Sequence, residues 1–355
     1  IRDLVRSRGL GDVYKRQALI AATCPLKLTI GSDHNSDALL LDVEFNDQSG
    51  AAFLPDVVVL STLRDGLGLG EGPVWDSDGE RLFFSDIMAN SVYSWSESDG
   101  FSFFLPKSGE TGFSPSYPDG LLLGANGLAI SNGELILCQH GDRRLVSVPL
   151  DAPLPENYTT LTSDYAGSRY NSPNDLAISK DGLIYFSDPP YGFADLPRSD
   201  PAAKRIVFDF QVREKDFNGV YVLDPIAKSV KLISSSIDFP NGIALAVDES
   251  FLYVNSSNMA EPKMMRINLA TGSEELFFDG PFPEDAVGWF DGMKMHSSGN
   301  IFTTGPGGIL VISPEGKLLA TIPLPGPATN LCFDGPEENM YVTSFESVVR
   351  ISLDN

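Results

Sequence analysis

From about residue 57 to its end the chain is written in short runs of apolar and β-branched or aromatic residues, separated by turn pairs such as Asp-Gly and Asn-Gly. Val74-Trp75 leads through Asp78-Gly79 to Arg81-Leu82-Phe83-Phe84. Leu128-Ala129-Ile130 leads through Asn132-Gly133 to Leu135-Ile136-Leu137-Cys138. Leu176-Ala177-Ile178 leads through Asp181-Gly182 to Leu183-Ile184-Tyr185-Phe186. Such pairs suit tight hairpins because glycine accepts a positive φ without a steric penalty. The same hairpin follows Asn241-Gly242, Asp291-Gly292 and Asn330, making six copies whose leading residues lie 39 to 67 positions apart. Each interval has room for two more strands, for example Ser91–Trp95 and Gly219–Leu223. A strand-and-turn unit recurring at this period predicts an all-β, six-bladed β-propeller with four antiparallel strands per blade. The last strand, Val348–Ile351, is expected to pair with residues 57–63 and close the ring, which removes exposed sheet edges.

In a propeller the first strand of each blade lines the central channel, so its leading residue stands at one mouth of that channel. The six leaders are Glu71, Asn126, Asn174, Asn241, Asp291 and Asn330. All carry a carboxylate or carboxamide, residue types that strands do not favour. For any single copy an Asn-Gly turn or a strand-capping side chain is the better reading. Six in register, two of them acidic, favour a funnel of oxygen donors for one hard divalent cation, whose charge Glu71 and Asp291 would balance. The lack of a Cys/His cluster argues against a dedicated soft-metal site. Second strands return towards the same mouth, which places Asp86, His140 and Asp188 in an outer tier around the ring. The long connection from Pro189 to Asn218, together with Lys107–Tyr117, is a candidate lid.

Charge and composition narrow the choice of partners. The 355 residues carry a net charge of −23, spread along the chain rather than in runs, which argues against nucleic acid and anionic membranes. No apolar run is long enough to span a bilayer. Three cysteines, Cys24, Cys138 and Cys332, make no disulfide framework, and the latter two fall inside strands as buried thiols. Residues 1–17 read as the in-frame translation of a sequencing adapter and are set aside. Residues 18–50 read as a poorly structured leader. Within it Ala18–Cys24 resembles the stump of a secretory or lipoprotein signal, with an irregular leader as the equal alternative. The compartment therefore stays open, with a lean to the periplasm or secretion. The propeller is assigned to 51–355, as a monomer or small homo-oligomer. A Gly-x-Ser-x-Gly elbow, a His-Glu-x-x-His pair and a P-loop are all missing from the sequence, so serine hydrolase, zinc protease and NTPase readings have no support.

Five ordered motifs carry a family resemblance: Glu-Gly-Pro-Val-Trp at 71–75, Ser-Pro-Asn-Asp at 172–175, Ser-Asp-Pro-Pro-Tyr-Gly at 187–192, Pro-Asn-Gly at 240–242 and Asp-Gly-Met at 291–293. Together they resemble the gluconolactonase / senescence marker protein-30 / luciferin-regenerating family from about residue 57 onwards. The resemblance implies a metal-dependent lactonase that opens a lactone, such as gluconolactone, to its hydroxy acid. It implies one divalent ion in the channel, Ca²⁺ foremost, with Zn²⁺, Mn²⁺ or Mg²⁺ as alternatives. Glu71, Asn241 and Asp291 look like metal ligands, Asn174 like a ligand or substrate contact, and Asp291 like the general base. Asn126, His140, Asp188 and Tyr191 are the candidate substrate-binding residues. Asn126 and the 140–144 segment look like the bacterial gluconolactonase branch, whereas Ser172 stands where the animal members carry an arginine. The competing reading is a non-catalytic calcium-binding propeller with a sugar or protein partner.

Overall fold

A computed structural model describes residues 38–114, 122–195, 199, 206–211, 213–283 and 286–353. Residues 1–17, most of the 18–50 leader, and parts of both candidate lids (115–117; 196–198, 200–205 and 212) lie outside the described residues. Six four-stranded antiparallel blades form a ring. Blade one comprises Gly70–Asp76, Arg81–Asp86, Ser91–Ser96 and Gly100–Pro106. Blade two comprises Ala125–Ser131, Glu134–Gln139, Arg144–Pro149 and Thr159–Thr162. Blade three comprises Leu176–Ile178, Ile184–Asp188, Gly219–Asp224 and Ser229–Ser234. Blade four comprises Pro240–Leu245, Phe251–Ser256, Lys263–Asn268 and Glu274–Phe278. Blade five comprises Met293–Met295, Ile301–Gly305, Gly308–Ile312 and Leu318–Pro323. Blade six joins Ala328–Phe333, Asn339–Ser344 and Ser347–Ser352 to the early strand Val57–Asp65. Each first strand touches the first strands of both neighbouring blades, which is what surrounds a central channel.

The ring closes as the sequence predicts, with Ser347 opposite Asp65 and Ser352 opposite Val59. The chain adds two short strands from the stretch read as a poorly structured leader. Ala38–Asp42 pairs with Val57–Asp65 on the outside of blade six, and Glu44–Phe45 pairs with Leu318–Pro323 on blade five. Strand alternation explains why the second strands are apolar on consecutive positions: both faces of a blade are buried. Phe83 packs towards blade two, whereas Leu82 and Phe84 pack towards Tyr341 and Val348 of blade six. Ile136 and Cys138 pack on Phe186 of blade three while Leu135 and Leu137 face blade one. One apolar cluster fills each of the six gaps between blades, so the core is assembled gap by gap. Cys138 and Cys332 are buried free thiols within these clusters.

The first strands crowd at the axis, and glycines after the leaders make that possible. Gly127, Gly242 and Gly292 donate their N–H groups to the carbonyls of Asn174, Asp291 and Thr329 in the next blade (2.6, 2.9 and 2.7 Å). A Cβ on Gly72 or Gly242 would stand 2.1 Å from the Asn126 or Asp291 carbonyl oxygen respectively, and Gly72 also has φ +49°. In blades one, two, four and six the ladder slips by a bulge at the leader, which turns that side chain towards the channel. Gly242→Ala is expected to destabilise the protein by at least about 2 kcal/mol, because only a backbone shift relieves the contact. Chemical denaturation of both proteins measures this, and an unchanged midpoint would remove the close-approach argument.

Candidate active site

The bulges, the glycines and the ring geometry together gather the leaders at one mouth. Glu71, Asn126, Asn174, Asn241 and Asp291 line a single cavity of about 120 Å³ with His140, Tyr191 and Trp289. All five leaders are buried. The sixth leader is corrected by one residue. Thr329, not Asn330, lines the cavity, and it is the Thr329 carbonyl that accepts the bond from the preceding blade's glycine. Asn330 sits one level deeper, in the row occupied elsewhere by Gly72, Gly127, Gly242 and Gly292. That row lacks side chains in four blades, leaving space at the axis for the side chains of Asp175 and Asn330.

The mouth carries unspent oxygen atoms. The Oδ1 atoms of Asn126, Asn174 and Asn241 are buried without a hydrogen-bond partner. An unpaired buried carbonyl oxygen costs about 1–3 kcal/mol, so three in one cavity are acceptors with capacity to spare. The two carboxylates are strained in the same sense. Burial first, and then the nearby Asp291, push the Glu71 carboxyl well above its ordinary range. Burial likewise raises Asp291 to about 7, opposed by hydrogen bonds from Trp289 and Asn241. Among the described residues no group of three or more His, Cys, Asp or Glu side chains is disposed to hold a metal. The donor set is instead two carboxylates with carboxamides, hard oxygen ligands that fit Ca²⁺ better than a soft ion.

Around this ring the remaining candidates separate. His140 faces the cavity, its Nδ1 3.3 Å from the Leu122 carbonyl. That partner assigns the proton to Nδ1 and leaves Nε2 a bare acceptor, buried and unpartnered. Burial lowers its pKa to about 4, so the ring is neutral near pH 7. Tyr191 lines the cavity from a single 3₁₀ turn, Tyr191–Phe193, and its hydroxyl meets the side chains of Ser257 and Asn241. Tyr191, Ser199 and Ile206 bring the 189–218 connection to the cavity, whereas none of residues 107–114 lines it.

Asp188 is the candidate that the structure removes from the walls. Its carboxylate accepts the Asn171 and Ser172 N–H groups (2.9 and 2.8 Å), so it holds the loop entering blade three rather than facing the cavity. Asp86 does the same in blade one, accepting from Gly68 and Leu69. Ser172 is likewise structural: its hydroxyl donates to the Pro189 carbonyl and accepts the Gly192 N–H, anchoring the turn that carries Tyr191. Trp289 is a residue the sequence reading missed. Its Nε1–H donates to Asp291 Oδ2 at 3.2 Å, and its ring packs edge-on against Phe345. A tryptophan two residues before an acidic leader was the available signal.

Fold and mouth define a six-bladed propeller whose channel presents a ring of oxygen-bearing side chains to one cavity at its mouth. The chain belongs to the SMP-30/Gluconolactonase/LRE-like family, whose sequence profile matches residues 69–346, and it is a gluconolactonase-like enzyme. It is 34% identical to the gluconolactonase of Zymomonas mobilis over 293 residues, 79% of this chain and 77% of that one. It is 24% identical to a pentonolactonase of Haloferax volcanii over 78% of this chain and 81% of the relative. The solved structure of a gluconolactonase from Xanthomonas campestris superposes with a TM-score of 0.73 at 26% identity, covering 92% of this chain and 98% of that one. Among the described residues no helix is long and apolar enough to cross a membrane.

Proposed function

We propose that this protein hydrolyses a lactone, a sugar lactone such as gluconolactone, to its hydroxy acid in a reaction that depends on a divalent cation. The observation that carries the cation is the set of three unpartnered carboxamide oxygens beside two buried carboxylates in one cavity. Glu71, Asn174, Asn241 and Asp291 would hold it, with Ca²⁺ the best match to all-oxygen ligands and Zn²⁺, Mn²⁺ or Mg²⁺ as alternatives. When bound, such an ion polarises the lactone carbonyl and stabilises the negative charge that develops on its oxygen.

The chain's own residues supply the rest. Asp291 accepts the proton of the attacking water, as a buried carboxylate on the cavity wall that the Trp289 indole holds in place. The Trp289 indole N–H fixes the Asp291 side chain and keeps one of its oxygens from turning away. His140 offers the lone pair of Nε2 to a substrate hydroxyl, while Asn126 and Tyr191 orient the ring from the other walls. The opened product is a carboxylate in a strongly acidic protein, which favours its departure.

Lactone hydrolysis is expected to vanish after chelation with EDTA and to return on adding Ca²⁺, Zn²⁺, Mn²⁺ or Mg²⁺ in turn. A pH-stat assay over a panel of aldonolactones, with and without chelator, measures this. Full activity in the chelated protein would overturn the metal part of the reading. No turnover with any lactone, alongside tight calcium binding, would favour a binding propeller instead.

A further inference from the structure

Beneath the cavity a polar chain runs down the channel, where most of the inner ring is glycine. Asn330 is its centre. Its Nδ2 donates to Glu71 Oε2 at 3.2 Å and points towards Asp175 Oδ2 at 3.5 Å. Its Oδ1 accepts the Leu331 N–H at 2.9 Å and lies 3.5 Å from the Lys294 ammonium, which is itself 3.7 Å from Asp175 Oδ2. Glu71, Asp175 and Asn330 are all buried, whereas Lys294 reaches a groove on the opposite face beside Trp75 and Asp334. The backbone bond from Leu331 settles which way round the carboxamide lies, because only its oxygen can accept there. Its NH₂ group is thereby committed to the two carboxylates.

The consequence falls on Glu71. Its Oε2 receives both the Gly72 N–H (2.9 Å) and the Asn330 amide, and both donors come from the channel side. Oε1 has no such commitment. We propose that Asn330 is a positioning residue for the Glu71 carboxylate: it pins Oε2 below the cavity and so presents Oε1 alone to the bound cation. This rests on the cation site proposed above. The same amide also lies between two carboxylates, Glu71 and Asp175, whose mutual repulsion would otherwise turn Glu71 out of line. Ligands held by an outer partner typically lose about 10- to 100-fold in metal affinity when that partner is removed.

The test is a double-mutant cycle read by calorimetric Ca²⁺ titration of the chelator-stripped full chain. Asn330→Leu, which keeps the branched shape and removes the donor, is expected to weaken Ca²⁺ binding about 10- to 100-fold. In a Glu71→Gln background the same change is expected to alter the already weak affinity less than about threefold, which a merely structural role would not predict. Should the leucine variant fail to fold, Asn330→Ala carries the same expectation with less steric demand. Equal losses in both backgrounds, or no loss in either, would overturn the positioning role. A parent protein that binds no Ca²⁺ would overturn the cation site itself, a distinguishable result.

Discussion

Asp291→Asn should lower kcat/KM for lactone hydrolysis by about a thousandfold or more while leaving the protein folded and, without metal, no less stable. General-base contributions run at about 10²- to 10⁴-fold, and here the same side chain is also a proposed ligand. The exchange is nearly isosteric. The backbone at this position is held independently of the carboxylate: its N–H donates to the Thr304 hydroxyl (2.9 Å), and its carbonyl accepts from Gly242 (2.9 Å) and the Asn255 amide (2.8 Å). None of these bonds involves the atoms that change. Removing a charge from a buried position beside Glu71 relieves repulsion rather than adding it. The expected signature is therefore a split between function and stability, read by steady-state kinetics and thermal denaturation of the same preparation. If activity survives within tenfold, Asp291 does not take the proton. If activity and melting temperature fall together, the residue's role is structural.

How much of this was legible in the chain follows from what each residue needs nearby. The blades were readable because their requirements are local: a glycine-bearing turn, then a strand apolar on both faces. The leaders were readable wherever a glycine follows them, since Gly72, Gly127, Gly242 and Gly292 mark the point where neighbouring backbones touch. Asn330 lacks that marker. With Leu331 after it, polarity alone placed the register one residue too far along, and Thr329, a common strand former without a carboxamide, gave no signal in the sequence. Asp188 misled for a related reason. Its strand does end near the mouth, but which way a terminal carboxylate turns depends on backbone N–H groups 16 and 17 residues earlier. The outer strands at 38–45 pair with segments that a short apolar run cannot name, so the sequence left them in the leader. Trp289 needed the third dimension only to show that its indole nitrogen meets Asp291.

The metal-free protein is expected to lose stability as pH rises from about 5 to 8, and Ca²⁺ is expected to restore it, most strongly at the upper end. The carboxyl of Asp291 is raised from 3.8 to about 7 and that of Glu71 is raised well above its usual 4.5, both first by burial. A folded-state pKa above the unfolded value means that the fold favours the protonated form. The contribution is thus fully present below pH 4 and disappears as pH climbs through about 7. Both carboxyls act in the same direction, so their effects on stability add. A cation bound only by the folded, ionised site acts in the opposite direction, adding about 2.7 kcal/mol at a hundred times its dissociation constant. Thermal melts in EDTA and in millimolar Ca²⁺, at pH 5 and pH 8, measure both terms. Glu71→Gln should melt higher than the parent in EDTA at pH 8 and show little response to Ca²⁺, because it removes one of the mutually repelling charges of Glu71, Asp291 and Asp175 and one of the two anionic ligands together. A parent protein that gains stability between pH 5 and 8 in EDTA would mean that the two buried carboxylates are already paired with a cationic group of the chain. The mouth would then have no unbalanced charge for a divalent ion to neutralise.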